Sequence, residues 1–283
     1  MTVQTDIVVD DLRFPEGCRW HAGSLWFSDM HSGVVYRADG DGRNATAVLT
    51  IDDRPSGMDW LDDGSLVVSG MLTRRVFRLS PEGEVSVYAD LSDATPHPIN
   101  DLIRLPSGDL VVGGFGYDLY SEAEPAPGPL FGIDRSGAWS VLADDLVFPN
   151  GMVLLSTGVL VVAETFAGRL TAYDVEAGGG LTNKRLWAQL PEGATPDGLC
   201  VDSEDAVWVS SIVQQEFLRV VEGGRVLQTL ELGDRLAVDC ALGGADGRTM
   251  FIATANSWAP DETETARAGR IERLTVATAG VAA

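Results

Sequence analysis

The chain has 283 residues, 45% of them hydrophobic, which suits one large all-β unit or two ordinary domains. Its formal charge of −22 argues against nucleic acid or an anionic membrane as a partner, because like charges repel. No apolar stretch approaches the roughly 20 residues of a membrane-spanning helix, and residues 1–10 lack the cationic and apolar segments of a secretory signal. We therefore expect a cytoplasmic protein that acts on a small molecule.

Six strand-like segments of β-branched and aromatic residues recur along the chain at intervals of about 40 to 50 residues. Each follows a turn residue, and these are Gly23, Gly64, Gly108, Gly158, Asp205 and Gly247. Further strand-like segments separated by turns bring each period to four short strands, which is typical of a propeller blade. The pattern predicts an all-β, six-bladed β-propeller that occupies residues 1–283 as a single domain. Strand-like segments at both ends, Ile7 to Val9 and Arg270 to Val276, predict a ring closed by the two termini.

A proline, a polar residue and a glycine recur before four of these segments, at Pro15-Glu16-Gly17, Pro55-Ser56-Gly57, Pro149-Asn150-Gly151 and Pro196-Asp197-Gly198. One such tripeptide alone is typical of a β-turn, but four in phase with a repeat indicate equivalent places in the fold. Counting back from each turn residue predicts six polar side chains at the start of the channel-lining strands: Glu16, Ser56, Asn100, Asn150, Asp197 and Asp239.

Three of these side chains, Glu16, Asn150 and Asp197, suggest a metal site. If the repeats are symmetric, the three converge on the propeller axis. Two carboxylates and an amide oxygen suit Ca²⁺, Mg²⁺ or Mn²⁺, and suit zinc less well. No G-x-S-x-G elbow of a serine hydrolase is present in the sequence.

Two segments lengthen their repeats, residues 115–129 with Tyr117 and residues 256–269 with Trp258. Long loops on a rigid scaffold often form a substrate rim, and plain surface loops are an equal alternative. From this placement we predict Tyr117 as a substrate-binding residue.

Several motifs together resemble the SMP-30/gluconolactonase/luciferin-regenerating family: Pro15-Glu16-Gly17 followed by Trp20, Asn100-Asp101, Asn150-Gly151, Pro196-Asp197-Gly198 and Cys240 to Gly244. The resemblance implies a six-bladed propeller with one divalent cation in its channel, Ca²⁺ first, with Mg²⁺, Mn²⁺ or Zn²⁺ as alternatives. It implies Glu16, Asn150 and Asp197 as metal ligands, Asn100 as a substrate contact and Asp197 as the general base.

The resemblance also implies a lactonase, in which the cation polarises the carbonyl of a cyclic ester and activates water. One departure concerns sugar lactones, because Pro98 stands where sugar-lactone members often carry arginine. Asp239 stands where a small neutral residue is common. Two alternatives stay open: a metal-dependent hydratase, isomerase or cyclase on the same scaffold, and a non-catalytic propeller that binds a ligand.

Overall fold

Six antiparallel sheets of four strands each make up the fold in the computed structural model, which describes residues 3–119, 121 and 123–281. The strands are numbered in chain order, and each sheet is one blade. The innermost strands are β2 (Pro15–His21), β6 (Pro55–Trp60), β10 (Ile99–Arg104), β14 (Pro149–Leu154), β18 (Pro196–Val201) and β22 (Leu236–Gly243). The second strands are β3 (Ser24–Asp29), β7 (Leu66–Gly70), β11 (Leu110–Gly114), β15 (Val159–Glu164), β19 (Val207–Ser211) and β23 (Thr249–Ala255).

The outer half of each blade is built from two more strands. The third strands are β4 (Val34–Ala38), β8 (Arg75–Leu79), β12 (Gly128–Ile133), β16 (Arg169–Val175), β20 (Glu216–Val220) and β24 (Gly269–Thr275). The outermost strands are β5 (Thr46–Thr50), β9 (Val85–Asp90), β13 (Trp139–Leu146), β17 (Leu181–Gln189), β21 (Val226–Glu231) and, from the start of the chain, β1 (Asp6–Leu12).

The blades close into a ring around a central channel. Each innermost strand contacts the innermost strand of the next blade, and β22 contacts β2. The sixth blade takes its outermost strand from the start of the chain, since β1 pairs antiparallel with β24 and places Asp6 opposite Arg273 and Leu12 opposite Gly269. The six-bladed propeller closed by strands from both termini is therefore confirmed.

Burial explains why the second strands are continuous apolar runs, whereas the outermost strands have few buried residues. In β7, Leu66, Val67 and Val68 are all buried, because this strand lies between neighbouring blades and is covered on both faces. In β9, Val85 and Val87 are exposed and Ala89 is buried. The core is thus distributed between blades and leaves the axis to polar side chains.

The Pro-x-Gly tripeptides are the first residues of innermost strands and do not form separate turns. Proline suits the first strand position because it has no N–H to donate to the ladder. The glycine is needed where adjacent blades crowd the axis. A Cβ on Gly151 would lie 2.5 Å from the Asp197 carbonyl oxygen, and one on Gly198 would lie 1.9 Å from Asp239 Oδ1.

The prediction that Asp239 begins the sixth innermost strand is wrong by two residues. Ala237 is the second residue of β22, the place that Glu16 holds in β2, and its partner in β23 is Thr254. Counting back eight residues from Gly247 stops two residues short, because β22 and β23 pair over more residues than the first two strands of the other blades do. Asp239 therefore lies one layer deeper along the channel.

Two connections extend the blades at the channel mouth. Residues 115–127 join β11 to β12, and the β23–β24 connection contains the helix α1 (Pro260–Ala266). Two 3₁₀ turns, Met30–Ser32 and Thr165–Ala167, follow β3 and β15. In the described part of the chain, no helix has the length and apolar character needed to cross a membrane.

Candidate functional site

A cavity of about 300 Å³ opens at the channel mouth where the innermost strands begin. Four of the predicted polar side chains line it: Glu16, Asn100, Asn150 and Asp197. Each is the second residue of its strand, in β2, β10, β14 and β18 respectively. The symmetry of the repeats therefore brings side chains that are distant in sequence to one floor.

Hydrogen bonds fix the two amides of this floor. Asn150 Nδ2 donates to Thr165 Oγ1 at 3.2 Å, and Asn100 Nδ2 donates to the carbonyl oxygen of Pro149 at 3.3 Å. Ser56 Oγ donates to Asn100 Oδ1 at 3.4 Å. Because Thr165 holds the Nδ2 of Asn150, the Oδ1 of Asn150 is the amide atom that can coordinate a cation or accept a hydrogen bond.

The two carboxylates of the floor are partly buried and carry acceptor capacity that the protein does not fill. Glu16 Oε1 is buried without a hydrogen-bond partner. Burial, and next the charge of Asp197, raise the pKa of Glu16 well above its usual value. Burial, and next the charge of Asp239, raise the pKa of Asp197 in the same direction. Neighbouring carboxylates that are partly removed from water are stabilised by a cation.

The donor set fits a divalent cation that prefers oxygen. Glu16, Asp197 and the amide oxygen of Asn150 provide hard ligands of the type that Ca²⁺ prefers, and the unpartnered Oε1 of Glu16 is an acceptor with no other use. Among the described residues, no three His, Cys, Asp or Glu side chains group as a metal site. The candidate site therefore depends on the asparagine as its third protein ligand.

A second polar layer lies directly beneath the floor. Arg19 Nη2 donates to Asp101 Oδ1 at 2.7 Å, and Asp239 accepts the backbone N–H groups of Cys18 and Cys240 at 2.6 and 2.7 Å. Burial raises the pKa of Asp239 to about 7, although the charge of Arg19 acts against this shift. The layer adds negative charge under the floor, and the arginine offsets part of it.

Arg19 is the functional residue that the sequence interpretation did not identify. It lies outside the repeated tripeptide, so the periodicity of the sequence gives no indication of its role. The available indication was Asp101, which follows Asn100 where the other motifs have glycine. A carboxylate in a glycine position next to the axis requires a buried partner, and Arg19 provides it.

The walls of the cavity are mostly aromatic and aliphatic. The Phe148 ring lies 4.2 Å from that of Phe115 and 4.9 Å from that of Phe166, measured between centroids. Tyr117 packs on Phe148 at 5.9 Å and is buried in the core behind this wall, so it is not among the residues that line the cavity. Its predicted substrate contact stays a prediction. Trp258, from the other long connection, lines the mouth.

Sequence comparison places this geometry in a family. The sequence model described as SMP-30/Gluconolactonase/LRE-like region matches residues 14–256. Regucalcin of Danio rerio is 24% identical over 196 residues, which span 68% of this chain and 65% of that protein. The 6-deoxy-6-sulfogluconolactonase of Pseudomonas putida is 24% identical over 234 residues, which span 81% of this chain and 78% of that protein.

Solved structures share the same fold. A luciferin-regenerating enzyme superposes with a TM-score of 0.84 at 18% identity, over 99% of this chain and 97% of that chain. A calcium-binding protein, regucalcin from Agrobacterium tumefaciens, superposes with a TM-score of 0.81 at 19% identity, over 98% of this chain and 95% of that chain. At these identities the likeness establishes the propeller alone.

Proposed function

We propose, from the premise that this chain belongs to the SMP-30/gluconolactonase/LRE-like family, that it hydrolyses a lactone at the mouth of its channel. The lactonase name of the Pseudomonas putida relative supports this class of reaction. The observation that carries the proposal is the pair of neighbouring, partly buried carboxylates, Glu16 and Asp197, at the floor of a mostly apolar cavity. Removing two carboxylates from water costs free energy, and a cation bound between them, beside a reacting carbonyl, would offset that cost.

Glu16, Asn150 and Asp197 would hold a divalent cation, and Ca²⁺ suits their oxygen atoms best. When bound, the cation supplies Lewis-acid chemistry at the lactone carbonyl. Regucalcin from Agrobacterium tumefaciens, a propeller described as calcium-binding, supports the choice of metal.

The chain's own residues position the ester and move the proton. Asn100 is fixed by its bonds to Pro149 and Ser56 and would orient the lactone over the floor. The carboxylate of Asp197 would accept a proton from the water as the water oxygen bonds to the carbonyl carbon, and the bond from that carbon to the ring oxygen then breaks. The proton then passes to the oxygen that leaves the ring. One water is consumed, and the product is a hydroxy acid.

Product analysis tests this reaction against the isomerase, hydratase and cyclase alternatives. Incubation of the protein with Ca²⁺ and a lactone panel in ¹⁸O-labelled water, followed by mass spectrometry, should reveal a hydroxy acid. The hydroxy acid should carry one ¹⁸O atom in its carboxyl group. An isomer of unchanged mass, or a hydrated product whose ester ring is intact, would refute hydrolysis.

A further inference from the structure

The cavity over the floor has a lining that suits an apolar ligand. Ten of its sixteen lining residues are aromatic or aliphatic, and they include an aromatic cluster formed by Phe115, Phe148 and Phe166. Phe148 adopts a positive φ of 58°, which is uncommon for a bulky residue, and its ring is held between its two neighbours. The three packed rings thus form a continuous aromatic wall of the cavity.

The mouth of the same cavity exposes large apolar side chains to solvent. Phe166 is 52% exposed and Trp258 is 55% exposed, and Leu119 and Val213 are exposed beside the same opening. Scattered exposed apolar residues are ordinary on a protein surface, but a group around one opening marks a binding site. The group surrounds the entrance to the carboxylate floor, so a ligand that reaches the floor must pass it.

The wall offers few hydrogen bonds to the hydroxyl groups of a sugar. The Thr195 hydroxyl donates to Gln214 Oε1 at 3.1 Å and accepts from the N–H of Val213 at 3.0 Å. The Thr165 hydroxyl accepts from Asn150. The Thr195 hydroxyl is thus engaged as both donor and acceptor, and the Thr165 hydroxyl already accepts one hydrogen bond. The wall therefore has few groups that can pair with sugar hydroxyls, and each hydroxyl left unpaired would lose its hydration without replacement.

The cavity also lacks a partner for an anionic ligand. Its described lining contains no lysine, arginine or histidine, and its charged members are the carboxylates Glu16 and Asp197. No cationic side chain of this lining can therefore pair with a phosphate, sulfonate or carboxylate substituent, and a cation at the floor would have its charge neutralised by Glu16 and Asp197. This lining therefore suits an uncharged ligand.

We infer that the substrate is an uncharged lactone with an alkyl or aryl substituent, whose ester lies on the floor and whose apolar part lies against Phe166 and Trp258. This inference rests on the proposed lactonase function. A fully buried methylene group raises the affinity about fourfold. Because the mouth is partly open, we expect about 2.5-fold for each methylene, or roughly 100-fold for a pentyl chain.

Two measurements test the substrate class. In the first, kcat/KM of the Ca²⁺-loaded protein is compared for δ-decalactone, which carries a pentyl chain, δ-valerolactone, which carries none, and glucono-1,5-lactone. We expect the ratio of δ-decalactone to δ-valerolactone to be roughly 100, with glucono-1,5-lactone no better than δ-valerolactone. Phe166→Ala and Trp258→Ala should each lower this ratio at least threefold. Leu186→Ala should not lower it, since Leu186 is equally exposed on β17, away from the cavity.

The second measurement is independent of turnover. Calorimetric titration compares 6-pentylpiperidin-2-one with piperidin-2-one, two lactams that match the lactones in ring size and chain. Tighter binding of the pentyl lactam, weakened by Phe166→Ala, supports the apolar site even if no lactone is opened, and in that case only the proposed hydrolysis fails. Equal binding of the two lactams, or a preference for glucono-1,5-lactone in the kinetic comparison, would overturn the inference.

Discussion

Replacement of Gly198 by alanine tests how the channel is packed. The added Cβ would lie 1.9 Å from Asp239 Oδ1 and 2.3 Å from its Cγ, so the carboxylate must move. In its present place that carboxylate accepts the N–H groups of Cys18 and Cys240. The substitution therefore introduces a steric clash and disturbs hydrogen bonds to a buried charge.

The expected loss combines the two effects. Overpacking of a well-packed interior costs about 1–3 kcal/mol, and loss of one hydrogen bond to a charged group costs about 1.5–3 kcal/mol. We expect Gly198→Ala to lower the free energy of unfolding by about 4 kcal/mol, which corresponds to a fall in Tm of roughly 10 °C for a chain of this size.

Urea unfolding followed by tryptophan fluorescence measures this change. Gly178→Ala is the matched control, because a Cβ at Gly178 meets no atom within 4 Å, and it should change the free energy of unfolding by less than about 0.5 kcal/mol. Equal stability of the two variants would refute the account of the Pro-x-Gly motif as a site of close approach between blades.

Three further predictions concern charge. Glu16→Gln should raise the Tm of the metal-free protein by a few degrees, because burial disfavours the Glu16 carboxylate. It should also abolish the stabilisation by Ca²⁺, which for the parent is about 2.7 kcal/mol at 100 Kd; a retained rise in Tm on addition of Ca²⁺ would exclude Glu16 as a ligand. Burial lowers the pKa of His31 to about 4, below its unfolded value of about 6.5, so stability is lost as pH falls through 6.5. At pH 5 this loss is about 2 kcal/mol, and His31→Gln should reduce the difference in unfolding free energy between pH 7 and pH 5 by that amount, whereas an unchanged difference would contradict the assignment. Arg19→Met should cost about 3–5 kcal/mol in urea unfolding because it leaves Asp101 buried and unpaired, and Arg19→Met combined with Asp101→Leu should recover most of that loss; no recovery would show that the pair is not coupled.

The repeats made the fold and most of the floor predictable from the sequence. The strands recur with their turn residues, so the same spacing that identifies the blade also places Glu16, Asn100, Asn150 and Asp197. In three of these four motifs the next residue is a glycine, which the contact between blades requires. Asp239 was misplaced because counting from Gly247 assumes a hairpin of constant length, and β22 pairs with β23 over more residues than the other blades do.

Tertiary packing accounts for what periodicity could not predict. Tyr117 lies in an inserted connection, where the repeat gives no register, and its ring packs behind Phe148. The ion pair of Arg19 with Asp101 joins residues 82 positions apart on different blades. The helix α1 lies in an inserted segment outside the repeat. The first two features depend on which parts of the chain the closed ring brings together, and the repeat does not encode the third.

Acid release measured by pH-stat tests the central claim most directly. Protein stripped with a chelator would be assayed on δ-decalactone before and after addition of Ca²⁺, beside Asp197→Asn and the exposed-site control Asp10→Asn. We predict that Ca²⁺ restores acid release in the parent and in Asp10→Asn, and that Asp197→Asn loses it at least about 100-fold. Full Ca²⁺-dependent release by Asp197→Asn, or a rate that does not respond to chelation, would contradict the account.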